Sequence, residues 1–257
     1  MSRAYLETFN AMESKLKNDT FIVPAFWRCI HSLVAAQRSF SILFRTFGTD
    51  TDDVIAAFNT FCAENGYHHL SIDKAHSGCI HRNVWGGHTL NLGLKQRNPM
   101  DRTKKIKEMT KEQLLTTDRM KWYKEQQLDD SNIQIESKPP SIYEMMKSES
   151  MKQRTMILSD DYVWWSIGGE QSEDGKLLLM DSADSDVHQI FFDDNLEFDR
   201  SGIVDVRDLQ SSDGRACISD SKWNELKSKH LLKVEPLHVI LNEDYFIENI
   251  VRLESCD

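Results

Sequence analysis

Val187-His188-Gln189-Ile190-Phe191-Phe192-Asp193-Asp194-Asn195 is the stretch on which the reading of this chain turns. An apolar run closes on two adjacent carboxylates. A strand that ends this way sets negative charge at its C-terminal edge. In an open parallel sheet, that edge is where ligands sit. Clustered carboxylate oxygens there suit a hard cation such as Mg²⁺. A second apolar strand, Ile203-Val204-Asp205-Val206, follows closely and ends in Arg207-Asp208. The plainer reading of Asp193 and Asp194 is a charged turn that caps the next segment.

Upstream, the pattern predicts an α/β chain. Leu6, Phe9, Met12 and Leu16 recur at helical spacing over 1–18. Pro24 suits the first turn of a second helix, over roughly 24–37, with Phe26, Trp27, Ile30, Leu33 and Val34 on its apolar face. Phe40–Phe44 reads as a strand and Arg45–Thr49 as the loop after it. A third helix follows over 52–64, where Asp52 and Asp53 complement its positive end. Helix, strand, loop and helix in this order are the grammar of a parallel sheet. Residues 66–100 read as irregular, 101–128 as a charged helix and 129–141 as a linker. From 150 onward strands return at Lys176–Met180, at the two acidic-ended runs and at Leu232–Val234, with a helix or turn around 237–251. The expected organisation is a first part of the core at 1–65, an insertion at 66–150 and a second part at 151–257. The strands near 40–45, 187–193 and 203–206 are expected to be parallel neighbours, with Thr46 and Asp194 at one edge.

Composition narrows the class. The chain has 257 residues, 40% of them apolar, with six Trp, which is enough for one large domain. Its net charge of −10 argues against a nucleic-acid binder that works through clustered Lys and Arg. Lys and Arg dominate only over 95–124, read first as a solvated helical face and otherwise as a docking surface. The five cysteines are widely spaced and form no CxxC, which fits a reduced, cytoplasmic or nuclear setting. No apolar stretch approaches the ~20 residues of a membrane span, and the polar start does not read as a secretory signal. The set His68, His69, His76, Cys79, His81 and His88 carries zinc-type donors, but its spacing matches no closed site; a polar loop is the simpler reading. Trp164 and Trp165 read as packing residues.

The order of these pieces resembles the haloacid dehalogenase-like superfamily: an apolar strand ending in a small hydroxyl residue, an insertion, a Lys, then a strand ending in paired Asp. The phrases Phe40-Ser41-Ile42-Leu43-Phe44-Arg45-Thr46-Phe47-Gly48 and Ile190-Phe191-Phe192-Asp193-Asp194-Asn195 also resemble an uncharacterised eukaryotic branch of it. The resemblance covers roughly 20–64 and 160–250. It implies a three-layer Rossmann-like parallel sheet carrying an inserted helical or irregular segment. It implies that Thr46 holds a phosphoryl oxygen, that Lys176 neutralises the phosphoryl group, and that Asp193 and Asp194, with Asp199 following, hold Mg²⁺. Arg45 and Gly48 would complete a phosphate-binding loop.

One departure from the family matters. Its first motif is a strand ending in Asp-x-Asp, which supplies the nucleophile and the acid/base. Met1–Lys17 contains no Asp. In the frame Phe44–Thr49, Arg45 and Phe47 stand where the two Asp belong. Leu177–Asp181 ends a strand in Asp, but Ala183 stands two residues on. The resemblance therefore implies an Mg²⁺-dependent phosphatase-like domain that is catalytically incomplete or truncated. The alternative is a non-catalytic binding or regulatory module on a decayed scaffold. Either would meet a phosphorylated small molecule or protein, with neither nucleic acid nor membrane as partner. Asp181 is the first candidate for a cryptic nucleophile.

Overall fold

A computed structural model describes residues 22–48, 50–73, 77–82, 88–92, 109–110, 113, 134–136, 138–152, 155–197, 202–211 and 219–255. The helices read over 1–18 and 101–128, the basic stretch at 95–124 (apart from 109–110 and 113), His76 and Asp199 lie outside those residues.

The fold is mixed α/β, with parallel strands distributed over small sheets. The first helix, α1 (Pro24–Ala35), starts on its proline and buries Ala25, Cys29, Ile30 and Leu33. Strand β1 (Ile42–Thr46) lies two residues later than the apolar pattern suggests, so Arg45 and Thr46 belong to the strand. Helix α2 (Thr51–Glu64) buries Ile55, Phe58 and Cys62 at the 3–4 spacing of one helical face. Strands β2 (Ser77–Arg82), β3 (His88–Leu92) and β4 (Gln134–Glu136) follow. Next come α3 (Pro139–Met151), β5 (Thr155–Asp160) and the short α4 (Tyr162–Ile167). The chain ends with β6 (Lys176–Met180), β7 (Phe191–Asp193), β8 (Val204–Asp208), α5 (Asp220–His230), β9 (Leu231–Lys233), α6 (Pro236–Leu241) and α7 (Tyr245–Glu254). Among the described residues no helix is long and apolar enough to cross a membrane.

The largest sheet runs β1-β5-β2-β3-β4. Strand β1 pairs in parallel with β5, from Ile42 opposite Thr155 to Thr46 opposite Ser159. Strand β5 also pairs in parallel with β2, while β3 and β4 add antiparallel strands at the far edge. Residues 66–150, expected as an irregular insertion and linker, thus supply three strands to the same sheet. Two further pairs are each parallel: β6 with β8, and β7 with β9.

This arrangement corrects the expected pairing. Strands β1, β7 and β8 do not neighbour one another; each belongs to a different sheet. The reason lies in β5. Its run Thr155-Met156-Ile157-Leu158-Ser159 is buried throughout, and it takes the place beside β1, between β1 and β2. A strand buried on both faces reads as a continuous apolar run rather than an alternation. This one, with only three large apolar residues, is too short to stand out.

Two faces of the large sheet build separate cores. Ile157 joins Ile30 of α1 and Ile55, Phe58 and Cys62 of α2 on one side. Leu158 joins Ile80, Ile142, Tyr143 and two residues of β6, Leu177 and Leu179, on the other. The alternate residues of β6, Leu178 and Met180, face a third cluster with Phe191, Val204, Val206, Trp223 and Leu231. The period of two along a strand sends neighbours to opposite faces, so β6 is shared between two cores.

Candidate functional site

The first residue of β6 is where the candidate site assembles. The Lys176 N–H donates to the carbonyl of Ile203 at 2.7 Å, which fixes the start of the β6–β8 ladder. Gly175 permits this approach: a Cβ there would lie 2.2 Å from the Ile203 carbonyl oxygen. The preceding turn is pinned by Trp164, whose Nε1 donates to Asp174 at 2.7 Å. The Lys176 side chain is thereby directed inward, and its ammonium donates to Asp193 Oδ2 at 2.7 Å. Each side chain of this ion pair is only 8% exposed. The same ammonium sits 5.3 Å from the centroid of Phe47, in cation–π range. Three segments remote in sequence, 46–48, 176 and 193, therefore meet. The ends of β1 and β7 share one neighbourhood although the strands lie in different sheets.

Thr46 is the last residue of β1. Its Oγ1 donates to Asp50 at 2.8 Å and accepts from the Gly48 N–H at 2.7 Å. The hydroxyl thus ties the 46–50 loop together ahead of α2. Asp52 and Asp53 occupy the first turn of that helix. An anion approaching this N-terminus would meet three carboxylates, so a phosphate there needs a cation as companion.

Arg45 is held inside the protein. Its Nε donates to Asp160 Oδ2 at 2.8 Å, its Nη2 donates to Asp160 Oδ1, and its Nη1 donates to the Leu177 carbonyl at 2.8 Å. The two side chains are 5% and 2% exposed. This fork on a carboxylate links β1, β5 and β6, and it is a structural use of the charge that was expected to face phosphate.

Asp193 accepts from the Asn195 N–H at 2.9 Å as well as from Lys176, and the exposed Asp194 accepts from the Asn195 side chain at 2.9 Å. A carboxylate offers about four lone-pair sites, so these contacts leave acceptor capacity on both residues. Mg²⁺ is characteristically held by one or two carboxylates together with waters and ligand phosphate. The donor set fits that use, and the cation would supply the positive charge that Lys176 spends on Asp193. Among the described residues no cluster of three or more His, Cys, Asp or Glu could form a protein-only metal site. Of the histidine set, His68 and His69 lie in a short 3₁₀ turn, while Cys79, His81 and His88 lie on the paired strands β2 and β3.

Asp181 follows the other end of β6. Five residues at about 3.3 Å each place it roughly 16 Å along the strand from Lys176. Its Oδ1 accepts from Ala183 N at 3.0 Å and from the Gln210 side chain at 2.7 Å. Asp208 accepts nearby from Ser182 N and Gln210 N, at 3.2 and 3.1 Å. Burial pushes the Asp208 carboxyl upward, but the Ser182 hydroxyl first, then the two backbone N–H groups and Lys222, bring it below its ordinary value. Asp184 is also held below the usual range, chiefly by Lys147 at 2.6 Å and then by the Asp186 N–H. This end of β6 is a closed carboxylate network with its donors in place.

The residues that pattern reading passes over are aromatic. Phe47 stacks on Trp165 with centroids 5.1 Å apart and planes 21° apart, and it meets Tyr162 edge-on at 5.9 Å. Trp165 Nε1 is buried with no hydrogen-bond partner among the described residues, an arrangement that costs about 1–3 kcal/mol. Asp160 was missed too, though Met156-Ile157-Leu158-Ser159-Asp160-Asp161 repeats the apolar-then-acidic pattern of 190–194. Comparison with known proteins brings no match to a family model, a curated protein or a solved structure.

Proposed function

We propose that this chain is a phosphate-binding module built on a haloacid dehalogenase-like, Rossmann-type core, which takes a phosphorylated ligand together with Mg²⁺ and has no nucleophile placed for turnover among its described residues. The observation that carries this reading is the convergence of Lys176, Asp193 and the Phe47 loop. The resemblance assigns them to three different motifs, and each lies far from the others in the chain. Asp193 and Asp194 would hold the cation, which would relieve Asp193 of its ion pair and let Lys176 turn its charge to a phosphoryl oxygen. A covalent route needs a carboxylate within reach of that phosphoryl group. Among the described residues Asp181 lies roughly 16 Å along β6 from Lys176, Asp160 is spent on Arg45, Asp161 caps α4 through the Trp164 N–H, and Asp50 is held by the Thr46 hydroxyl, with Asp52 and Asp53 in the first turn of α2. These placements favour binding over hydrolysis.

The test is a calorimetric titration with inorganic phosphate, with and without millimolar Mg²⁺, on the natural chain, Lys176→Met and Asp194→Asn. Binding that requires Mg²⁺ and is lost in both variants supports the reading. A native-state ligand also raises the melting temperature through linkage. Absence of binding at tens of millimolar Mg²⁺ and phosphate rejects the reading. Mg²⁺-dependent hydrolysis of a phosphomonoester rejects its non-catalytic part.

A further inference from the structure

We infer that Phe47, Tyr162 and Trp165 form a stacking platform that selects phosphorylated ligands bearing a planar aromatic ring. The inference rests on the phosphate-binding reading above and adds the ligand class. Three observations carry it.

The platform starts at the anion-binding group. Lys176 Nζ lies 5.3 Å from the Phe47 ring centroid, and Trp165 stacks on Phe47 at 5.1 Å. A positive charge and aromatic rings thus lie side by side, the two features an aromatic phosphomonoester would meet. Tyr162 closes the set, edge-on to Phe47 and tilted against Trp165 at 6.1 Å.

These rings are only half-buried. They keep some exposed surface beside a cation, where a further ring can add to the offset stack. Stacking on aromatic side chains is tolerant of ring identity because every base has a π-face.

Among the described residues the indole N–H of Trp165 has no acceptor. Buried polar groups in folded proteins nearly always have partners. A ligand ring that carries acceptors would supply one. Packing of the 46–48 loop against α4 accounts for the ring contacts but leaves this donor unanswered.

The experiment is calorimetric titration of the full chain in magnesium chloride buffer with inorganic phosphate, ribose 5-phosphate, AMP, phosphotyrosine and adenosine. The expected result is AMP or phosphotyrosine binding about tenfold tighter than ribose 5-phosphate, in line with one added stack. Which of the two binds tighter tells a nucleotide from an aryl phosphate source. Trp165→Leu should remove that preference and leave ribose 5-phosphate binding unchanged. Trp165→Phe keeps the ring face and loses the N–H, so it should retain most of the preference. Circular dichroism of both variants checks that they fold, and Tyr162→Ala provides a second route if Trp165→Leu does not.

Equal binding of AMP, phosphotyrosine, ribose 5-phosphate and phosphate would overturn this inference while leaving the phosphate site standing. A preference that survives intact in folded Trp165→Leu and Tyr162→Ala would overturn it as well. Adenosine binding as tightly as AMP would support the platform and reject the phosphate reading. If none of the probes binds, both readings fall.

Discussion

Asp160→Ala should be among the most damaging single changes in this chain. It deletes the carboxylate that takes two nitrogens of Arg45, in a pair whose side chains are 5% and 2% exposed. The guanidinium would keep the Leu177 carbonyl as its remaining partner among these contacts. Stranding one charge of a buried pair typically costs about 3–5 kcal/mol. At about 2–4 °C per kcal/mol for a chain of this size, the melting temperature should fall by roughly 6–20 °C. Urea denaturation should show a lower midpoint with an unchanged slope, which marks a change in stability rather than in the unfolded state. The double variant Arg45→Met/Asp160→Leu is the informative companion. Replacing both charges by apolar groups of similar size is often neutral or stabilising, so it should return to within about 1 kcal/mol of the natural chain. That double variant should also bind phosphate and Mg²⁺ as the natural chain does, because Arg45 serves the fold. A loss below about 1 kcal/mol in Asp160→Ala, or a double variant as unstable as the single, would refute the reasoning. Loss of phosphate binding in a stably folded double variant would return Arg45 to the binding site.

Gly175→Ala should cost about 1–3 kcal/mol by urea denaturation, because its Cβ would meet the Ile203 carbonyl at 2.2 Å; a neutral result would mean the β6–β8 ladder shifts freely. Asp208→Ala should cost about 1–3 kcal/mol at neutral pH, as Ser182 N and Gln210 N lose their acceptor. The folded carboxyl lies below its unfolded value, so its contribution is complete above the unfolded pKa of about 3.9 and is lost as pH falls through the folded value. Stability of the natural chain should therefore drop more steeply below about pH 4 than that of the variant, and parallel acid limbs would refute the assignment. The thiols of Cys29 and Cys62 are pushed up to about 11 by burial, with Arg38 pulling Cys29 and a Ser71 hydrogen bond pulling Cys62 slightly back. At pH 8 roughly one in a thousand of each is thiolate, so alkylation mapped by mass spectrometry should spare both until the chain unfolds.

How far the sequence discloses this structure can be followed along particular residues. Lys176–Met180 is a strand with the bounds that its pattern suggests, and Pro24 and Asp52–Asp53 mark the starts of two helices, because caps and turns act locally. The strands β2 and β3 are hidden under His, Gly and Asn, which have little strand preference of their own; pairing with β5 and with each other recruits them. Strand partners are likewise not written into local patterns. Val204–Asp208 resembles Phe191–Asp193 in its apolar-to-acidic form, yet one pairs with β6 and the other with β9. In the site, Lys176 and Asp193 are visible as chemistry-bearing residues from their places at strand ends. The use of Arg45 inside the protein is not, because the decisive partner, Asp160, is 115 residues away. Nor is the Phe47–Trp165 stack, which joins the loop after β1 to helix α4 through geometry alone.

Strand β6 has a consequence for how the molecule comes apart. Leu177 and Leu179 complete one core and Leu178 and Met180 another, so neither half can keep its interior if this strand leaves. The strand adds to a second joint, where Ala25 of α1 packs with Val239 of α6 and Tyr245 of α7. Partial opening that frees β6 would expose two hydrophobic surfaces at once, which makes such an opening nearly as costly as complete unfolding. Amide hydrogens in Leu177–Met180 should accordingly exchange only through global unfolding, at a rate that follows denaturant as the whole chain does. The two-faced strand thus welds a chain built from several small sheets into one cooperative unit.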